Sequence, residues 1–367
     1  MNKYVKRYCI DAMSGMAQGL FASLLIGTII KTLGELLLRL GTNPVFEFLV
    51  NAGKFAMEGH VVGAAMAVAI GYSLGVPALV LFSLAAVGAT ANTLGGAGGP
   101  LAVYIIAIIS SELGNLVSKK TRVDIIVTPL VTILSGTLIA VLCAKWIGAA
   151  AASIGYVIMW ATHLHPFVMG IIVSVIVGIV LTLPISSAAI CAALSLTGLA
   201  GGAAVAGCSA NMIGFAVMSF RENKWGGLLS QGLGTSMLQM ANIIKNPRIW
   251  LPVILSSAIT GPISTCVFKM QMNGAPISSG MGTCGFVGQI GVATGWFSPT
   301  DAALQTAQKL GTVSADATAQ ALAHSPTAFD WLGLLLICFV LPGLLSWAFG
   351  LLFRKIGWIK EGDLTLE

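Results

Sequence analysis

Val61 to Ser111 reads VVGAAMAVAIGYSLGVPALVLFSLAAVGATANTLGGAGGPLAVYIIAIISS, a stretch without a single Asp, Glu, Lys or Arg. A second and longer uncharged run extends from Trp146 to Phe220. A soluble domain of this size needs charge on its surface. A bilayer accepts such runs, because a spanning helix needs about 20 mostly apolar residues. The two runs therefore predict a polytopic integral membrane protein.

The composition of the whole chain agrees with this prediction. Only 9% of the 367 residues are charged and 56% are hydrophobic, and the mean hydropathy is +0.92. A chain of this length and composition suits about ten spanning helices in one domain. We therefore predict an all-α fold, with re-entrant or broken segments among the spans and a single transmembrane transporter-like domain over 1–367.

The basic residues lie in short clusters between apolar segments, which is typical of cytoplasmic loops. We therefore expect both termini to be cytoplasmic and the protein to be multi-pass in the plasma membrane. The net charge of +6 is spread over these loops, and no DNA-binding motif accompanies it, so no nucleic-acid partner is expected. The clusters are Lys3/Lys6/Arg7, Lys119/Lys120/Arg122, Arg221/Lys224, Lys245/Arg248 and Arg354/Lys355/Lys360.

Three segments are predicted to lie outside the spans. Residues 31–54 indicate an amphipathic segment at the far interface, and 225–244 indicate a cytoplasmic interfacial helix. Residues 300–330 form the one long polar stretch and are predicted to be an external loop with one short helix. The clear spans are predicted near 12–30, 56–75, 77–93, 101–118, 125–144, 167–183, 249–268 and 331–353.

Two regions leave the choice between crossing and re-entering open. Residues 186–200 and 203–220 are short apolar pieces that either both cross or form a re-entrant pair, and the charge pattern fits both. Residues 273–297 are Gly-rich and broken, and they also either span or re-enter.

The segment Asn273 to Gln289, NGAPISSGMGTCGFVGQ, is the best candidate for a binding site. Gly is costly inside a helix and Pro cannot donate a backbone hydrogen bond, and irregular backbone at membrane depth survives only when it is buried or lines a wet cavity. A Cβ at Gly282 or Gly285 is expected to obstruct close backbone approach or a positive φ. The alternative is close helix packing through small residues. The predicted substrate-binding side chains here are Asn273, Ser278, Ser279, Thr283 and Gln289.

Other polar groups in apolar surroundings complete the candidate set. Asn92 opens a second break, up to Pro100, which is either a pore-lining element or an external turn. Glu58 and His60 are candidates for proton coupling, because intramembrane ionisable groups are scarce here, although both could be interfacial. Asn211 and His165 are further candidates for substrate contact, with an interfacial location as the alternative for His165.

No motif in the sequence predicts a metal site, a cofactor or a catalytic nucleophile. The seven cysteines show no CxxC or Cys/His spacing and are predicted to be small buried side chains. No nucleophile and base are paired in the sequence, so no catalytic residue is assigned.

Four local sequences together resemble a known family. They are Pro184-Ile-Ser-Ser-Ala-Ala-Ile190, Gly234-Thr-Ser-Met-Leu-Gln239, Lys245-Asn-Pro247 and Gly280-Met-Gly-Thr-Cys-Gly-Phe-Val-Gly-Gln289. These resemble bacterial phosphotransferase-system EIIC-like membrane proteins, a group that includes the PfoR-type regulators of toxin expression. The resemblance covers nearly the whole chain. It implies a sugar-type permease fold and a homodimer in the bacterial cell membrane.

Two departures from the family pattern affect the expected chemistry. Phosphotransferase permeases depend on a IIB domain with a phosphorylated Cys or His, and we expect neither IIA nor IIB to be fused here. Many of these permeases also bind sugar through a Glu-Pro motif in a re-entrant loop, whereas this chain has no carboxylate between Lys269 and Asp301.

The sequence thus predicts a membrane transporter of a small polar or sugar-like solute. Broken Gly-rich segments are expected to hold the solute, and membrane lipids are expected to surround the protein. One alternative is a membrane sensor that regulates gene expression through a partner. Another is a true EIIC subunit that works with separate IIA and IIB proteins, in which case phosphotransfer accompanies transport.

Overall fold

The computed structural model describes residues 3–39, 41–314 and 316–366, and it is helical apart from one isolated β-bridge in that part of the chain. The all-α prediction is confirmed. The chain divides into two compact units, one ending at Ala152 and the other covering Ser153–Leu366.

The first unit contains eight α-helices in its described residues, some of them continued by π-helical turns at Val5–Asp11, Phe21–Leu25 and Ala140–Ala144. The α-helices are α1 (Ala12–Leu20), α2 (Ile26–Leu38), α3 (Pro44–Ala56), α4 (Gly59–Ser73), α5 (Ala78–Gly95), α6 (Gly99–Val117), α7 (Asp124–Ile139) and α8 (Lys145–Ala152).

Helices α1 and α2 pack against α4 and α3 in an antiparallel arrangement. A Cβ at Gly19 would lie 2.8 Å from the Cα of Met66, and one at Gly34 would lie 2.8 Å from the backbone nitrogen of Val50. Such approaches need small residues at the contact. Residues 31–38 and 44–54 of the segment predicted to lie at an interface therefore belong to α2 and α3, which pack against each other.

Helices α5 and α6 form a hairpin that turns at Gly96–Gly98. Gly114, late in α6, contacts Val80, early in α5, and Gly95 contacts Ala102 beside the turn. Gly96 has a φ of +52°, which a residue without a Cβ adopts at no steric cost. The chain therefore reverses direction within one apolar run.

Among the described residues, six helical stretches are long and apolar enough to cross a membrane, or seven if the bent pair α3 and α4 forms one span. The predicted number of about ten is not confirmed. Three of the stretches are 34, 39 and 40 residues long. The longest, Ala78–Val117, contains the predicted spans near 77–93 and 101–118, joined by the turn at Gly96–Gly98. The six are Val5–Leu38, Ala78–Val117, Asp124–Thr162, Gly198–Met218, Pro247–Val267 and Ala328–Lys355.

The second unit contains the remaining α-helices, with short 3₁₀ or π turns at Ser230–Gly234, Ser236–Gln239, Pro247–Trp250, Ile263–Val267, Pro276–Gly280, Cys284–Phe286, Ala319–Leu322 and Leu336–Val340. The α-helices are α9 (Ile154–Thr162), α10 (Pro166–Thr182), α11 (Ser187–Ala193), α12 (Gly198–Met218), α13 (Phe220–Leu229), α14 (Met240–Lys245), α15 (Leu251–Pro262), α16 (Val287–Phe297), α17 (Asp301–Lys309), α18 (Ala328–Leu335) and α19 (Leu341–Lys355).

Helix α12 is the centre of the second unit. Of an 18-residue apolar stretch in α12, 89% is buried. The corresponding share for an apolar stretch of Asp124–Thr162 is only 22%. Helices α10, α15 and α19 surround it, and the contacts run through small residues. A Cβ at Gly207 would overlap the carbonyl oxygen of Ser174 in α10, and one at Gly214 would lie 2.7 Å from Val253 in α15.

Residues 225–244 do not form the single interfacial helix that the sequence predicts. They divide into the end of α13, two short turns and α14. Their amides are buried because they bind the C-terminal tail: Gln239 donates to the carbonyl of Leu364 at 2.9 Å, and Asn242 donates to that of Thr365 at 2.8 Å. The tail supplies the polar partners that a regular helix does not provide.

The two short apolar pieces 186–200 and 203–220, which the sequence predicts to behave as a pair, differ in helix length. Within 186–200 the helix α11 has only seven residues, about 10 Å at 1.5 Å per residue, which is too short to cross. Residues 203–220 lie mostly in α12, which has 21 residues and is long enough. Residues 300–330 are predicted from the sequence to form an external loop with one short helix. The structure has the short helix α17 there, and a 3₁₀ turn follows at Ala319–Leu322.

We predict that Gly207→Ala lowers the melting temperature in detergent by several degrees. The added Cβ forces α10 away from α12, and overpacking of this kind costs about 1–3 kcal/mol. The matched control is Gly226→Ala in α13, where a Cβ meets nothing within 4 Å. This control is expected to melt at or slightly above the wild-type temperature, because Ala is the better helix former. Equal melting temperatures for the two variants would contradict the close α10–α12 contact.

Candidate functional site

Two broken segments of the second unit pair with each other. The first broken segment, 183–198, contains α11, and the second, 269–286, contains the 3₁₀ turns Pro276–Gly280 and Cys284–Phe286. Gly198 and Met272 exchange both of their backbone hydrogen bonds at 3.0 Å. This short antiparallel bridge satisfies backbone groups that neither segment can satisfy within a helix of its own.

Side chains extend the pairing along the two segments. The Ser187 hydroxyl donates to the carbonyl of Gly280 at 2.7 Å, and the Ser279 hydroxyl donates to the carbonyl of Leu196 at 2.6 Å. A Cβ at Gly280 would lie 2.5 Å from the carbonyl oxygen of Ser187, so the approach requires Gly. We call the two together the paired broken segments.

The backbone of the second broken segment adopts conformations that end a helix. Gly282 and Gly285 have φ values of +52° and +50°, as the sequence predicts for positions that need Gly. Lys269 and Phe286 also have positive φ, +47° and +60°, which is uncommon for residues with a Cβ. A Cβ at Gly282 would in addition lie 2.6 Å from the Cβ of Cys208 in α12. The segment is thus both strained and closely packed.

Most of the predicted substrate-binding hydroxyls and amides in this segment are used to build it. Ser278, Ser279, Thr283 and Asn273 are all buried. Thr283 donates to the carbonyl of Gly232 at 2.5 Å, and the Asn273 amide donates to Gln271 at 3.1 Å. Ser279 binds the first broken segment, as described above. These side chains hold the backbone in place in the conformation that the structure shows.

Gln289 differs from these residues because one of its polar atoms has no partner. It lies in the first turn of α16 and is 7% exposed. Its Nε2 is 3.4 Å from the Ser209 hydroxyl of α12, and Cys338 lies beside the same two side chains. Its Oε1 accepts no hydrogen bond from any described residue. A buried acceptor left in this state costs about 1–3 kcal/mol, and a hydrogen-bond donor brought to it would remove that cost.

Asn211 is fully buried in α12 and links three helical elements of the second unit. Its Oδ1 accepts from Trp250 at 3.2 Å and from Thr182 at 3.3 Å, and its Nδ2 donates to Ser257 at 3.1 Å. A side chain with this many protein partners supports the packing of α10, α12 and α15.

The candidates Asn92, Glu58 and His60 come together in the first unit, where α3 and α4 meet at a bend of 58°. The Glu58 carboxylate and the His60 ring are 2.7 Å apart, with side chains 43% and 64% exposed. The Asn92 amide donates to the carbonyl of Gly59 at 2.6 Å. His165, in the second unit, is exposed and caps α10 by accepting from the Phe167 backbone at 3.4 Å.

Sequence reasoning did not select Ser187 or Ser209, which the structure places at the paired segments and beside Gln289. The signal for Ser187 was the sequence Pro184-Ile-Ser-Ser, since Pro and Ser next to an apolar run mark a second break. Ser209 carried no such signal, because only the packing of α16 on α12 brings it to Gln289.

The family model described as "Phosphotransferase system, EIIC" matches residues 10–366, which is nearly the whole chain. No curated protein and no solved structure matches the chain. The family match and the apolar helical stretches together identify a multi-pass membrane protein.

We predict that Ser279→Ala destabilises the protein by about 1–3 kcal/mol, because it leaves the buried carbonyl of Leu196 without its hydroxyl partner. Thermal unfolding in detergent measures the loss, and hydrogen exchange should accelerate in the first broken segment. Ser298→Ala, at an exposed position, is the control and should change neither measurement. Unchanged exchange over 183–198 in the Ser279 variant would contradict the pairing.

Proposed function

The chain belongs to the phosphotransferase-system EIIC family, and from this premise we propose that it is a permease whose paired broken segments hold a small polar or sugar-like solute. The family implies a membrane transporter component that works with a small solute and with separate IIA and IIB components. The observation that carries our proposal is the buried and unpartnered Oε1 of Gln289 beside the paired segments.

The chemistry around Gln289 favours an uncharged, hydroxyl-bearing solute. No Asp, Glu, Lys or Arg lies between Lys269 and Asp301, so the second broken segment offers no charge to an ionic solute. An amide both donates and accepts, and a hydroxyl does the same. A solute hydroxyl can therefore donate to Oε1 of Gln289 while it accepts from a neighbouring group such as Ser209, which is already 3.4 Å from the Gln289 Nε2.

Transport requires the paired broken segments to open, because Gln289 is only 7% exposed in this conformation. The pairing consists of the Gly198–Met272 bridge and the two serine hydrogen bonds, each worth about 0.5–1.5 kcal/mol net. Separating the segments is thus a modest cost that solute binding can offset. The hydroxyls of Ser187 and Ser279 would then become available to the solute.

Phosphorylation of the solute would depend on separate IIA and IIB proteins. The second broken segment contains no carboxylate that could act as a base, since no Asp or Glu occurs between Lys269 and Asp301. We therefore assign recognition and passage of the solute to this chain and phosphotransfer to a partner. Consistent with the family resemblance, we propose a homodimer in the bacterial plasma membrane with cytoplasmic termini.

Glu58 and His60 are proposed to couple uptake to protons in the first unit. The pair is close, at 2.7 Å, and it lies at the bend between α3 and α4, where a change of protonation can alter the angle between two helices. Both side chains are substantially exposed. Exposed pairs contribute about 0–1 kcal/mol to stability, so a substitution there can be read as an effect on transport.

We predict that Gln289→Leu reduces uptake of the solute by roughly ten-fold or more, because a site that binds a hydroxyl through a buried amide loses that hydrogen bond. Proteoliposomes are tested with labelled hexoses, pentoses and polyols, with and without added IIA and IIB proteins in their phosphorylated forms. Gln320→Leu, at an exposed amide, is the matched control and should transport normally. Normal uptake by the Gln289 variant would place the site elsewhere. Solute binding to wild-type protein with no uptake in any condition would favour the sensor alternative.

We predict that Glu58→Gln abolishes the dependence of uptake on a pH gradient while binding of the transported sugar and melting temperature stay near wild type. The amide keeps the size of the carboxylate and removes its charge. Glu47→Gln, exposed in the same unit, serves as the control. The same response to a pH gradient in the Glu58 variant and the wild type would remove this pair from the mechanism.

A further inference from the structure

A cavity of about 250 Å³ lies in the second unit, where α12 ends, α13 begins and the last turns of α19 pass them. Its walls are mostly apolar, with Val217, Phe220, Leu228 and Trp347 among the lining residues, and two arginines, Arg221 and Arg354, complete the lining. It shares no lining residue with the paired broken segments, so the solute site does not account for it.

Arg354 is fixed in place by a buried carboxylate. Its Nη2 donates to the Glu222 Oε1 at 2.6 Å and to the carbonyl of Met218 at 3.4 Å. The Glu222 side chain is 5% exposed and that of Arg354 is 18% exposed. Both described hydrogen bonds use Nη2, and a guanidinium has five N–H donors. Donors on Nη1 and Nε therefore remain for a ligand in the cavity.

Arg221 has no hydrogen bond or ion pair with any residue that the structure describes, although it lines the cavity. Glu222 offsets the charge of Arg354, so the net positive charge at the cavity is that of Arg221, and the two guanidinium groups together offer several N–H donors. Phosphate oxygens match this arrangement, because guanidinium groups bind phosphate in a bidentate geometry.

The surroundings of the cavity are those of a membrane interface. Trp347 is 51% exposed, and Leu344 and Leu351 on the same face of α19 are 57% and 38% exposed. Tryptophan is enriched where hydrocarbon meets headgroups, and α19 changes from apolar residues to Arg354 and Lys355 at its end. A ligand here would have an apolar part along α19 and an anionic part at the arginines.

We propose that this cavity binds the phosphate of one phospholipid headgroup, with its acyl chains along the exposed face of α19. The volume holds a headgroup and not a whole lipid, since pockets for drug-sized ligands are about 300–1,000 Å³. A soluble phosphate ester would share the negative charge. It would have no acyl chain to contact the apolar walls and the exposed Leu344–Leu351 face.

The test is native mass spectrometry of delipidated, full-length protein titrated with two-chain phosphatidylglycerol in detergent. Arg221→Gln should weaken the first binding event roughly ten-fold, the effect of losing a hydrogen bond to a charged group. Lys355→Gln removes an exposed positive charge that does not line the cavity, and it should change the affinity by less than about two-fold. Arg221 is preferred to Arg354 because removing Arg354 leaves Glu222 buried without its partner.

Two further ligands separate the possible sources of the phosphate. Diacylglycerol with the same acyl chains lacks the phosphate and should not bind at the same concentrations. Inorganic phosphate should not displace the lipid at equal concentration. Equal weakening by Arg221→Gln and Lys355→Gln, or retention of diacylglycerol, would show nonspecific lipid adhesion and overturn the proposal. Displacement by inorganic phosphate at equal concentration would also overturn it, in favour of a soluble phosphate compound.

Discussion

The need to satisfy backbone N–H and C=O groups away from water governs the second unit. Where the helix is interrupted at membrane depth, these groups must find partners in the protein. The chain meets this need by pairing two interruptions with each other, through the Gly198–Met272 bridge and the hydroxyls of Ser187 and Ser279. Each broken segment supplies hydrogen-bond partners that the other lacks within its own helical turns.

Close packing through small residues supports this arrangement. Helix α12 can be buried almost completely because Gly207 and Gly214 admit the backbones of α10 and α15, and in lipid such contacts replace the hydrophobic effect as the main attraction between helices. Asn211 adds directional bonds to Thr182, Trp250 and Ser257. Gln289 packs against this closely packed helix through Ser209. Its Oε1 remains without a partner among the described residues.

The two arginines at the start of α13 and at the end of α19 show a different use of polar groups. Glu222 holds Arg354 nearly out of solvent, and such a desolvated pair is costly unless further bonds compensate for it. An anionic headgroup would supply those bonds to Arg354 at the interface. The second broken segment, by contrast, has an uncharged environment. As proposed, one unit contains an uncharged solute site and a charged lipid site that share no lining residue.

The sequence by itself determined the membrane class, the helical fold and the family, because uncharged runs and Gly- and Pro-rich motifs are local properties that lipid constrains directly. It also located the break at 273–289 and the need for Gly at positions 282 and 285. It did not determine the number of crossings: it predicts about ten, whereas six or seven helical stretches among the described residues are long and apolar enough to cross. Only the tertiary structure decided that 183–198 pairs with 269–286, that Asn211 and Thr283 bond to the protein, and that Gln289 keeps an unpaired oxygen. These outcomes depend on hydrogen bonds between residues 29 to 93 positions apart, and the local pattern of residues does not reveal which distant partner a polar group will meet.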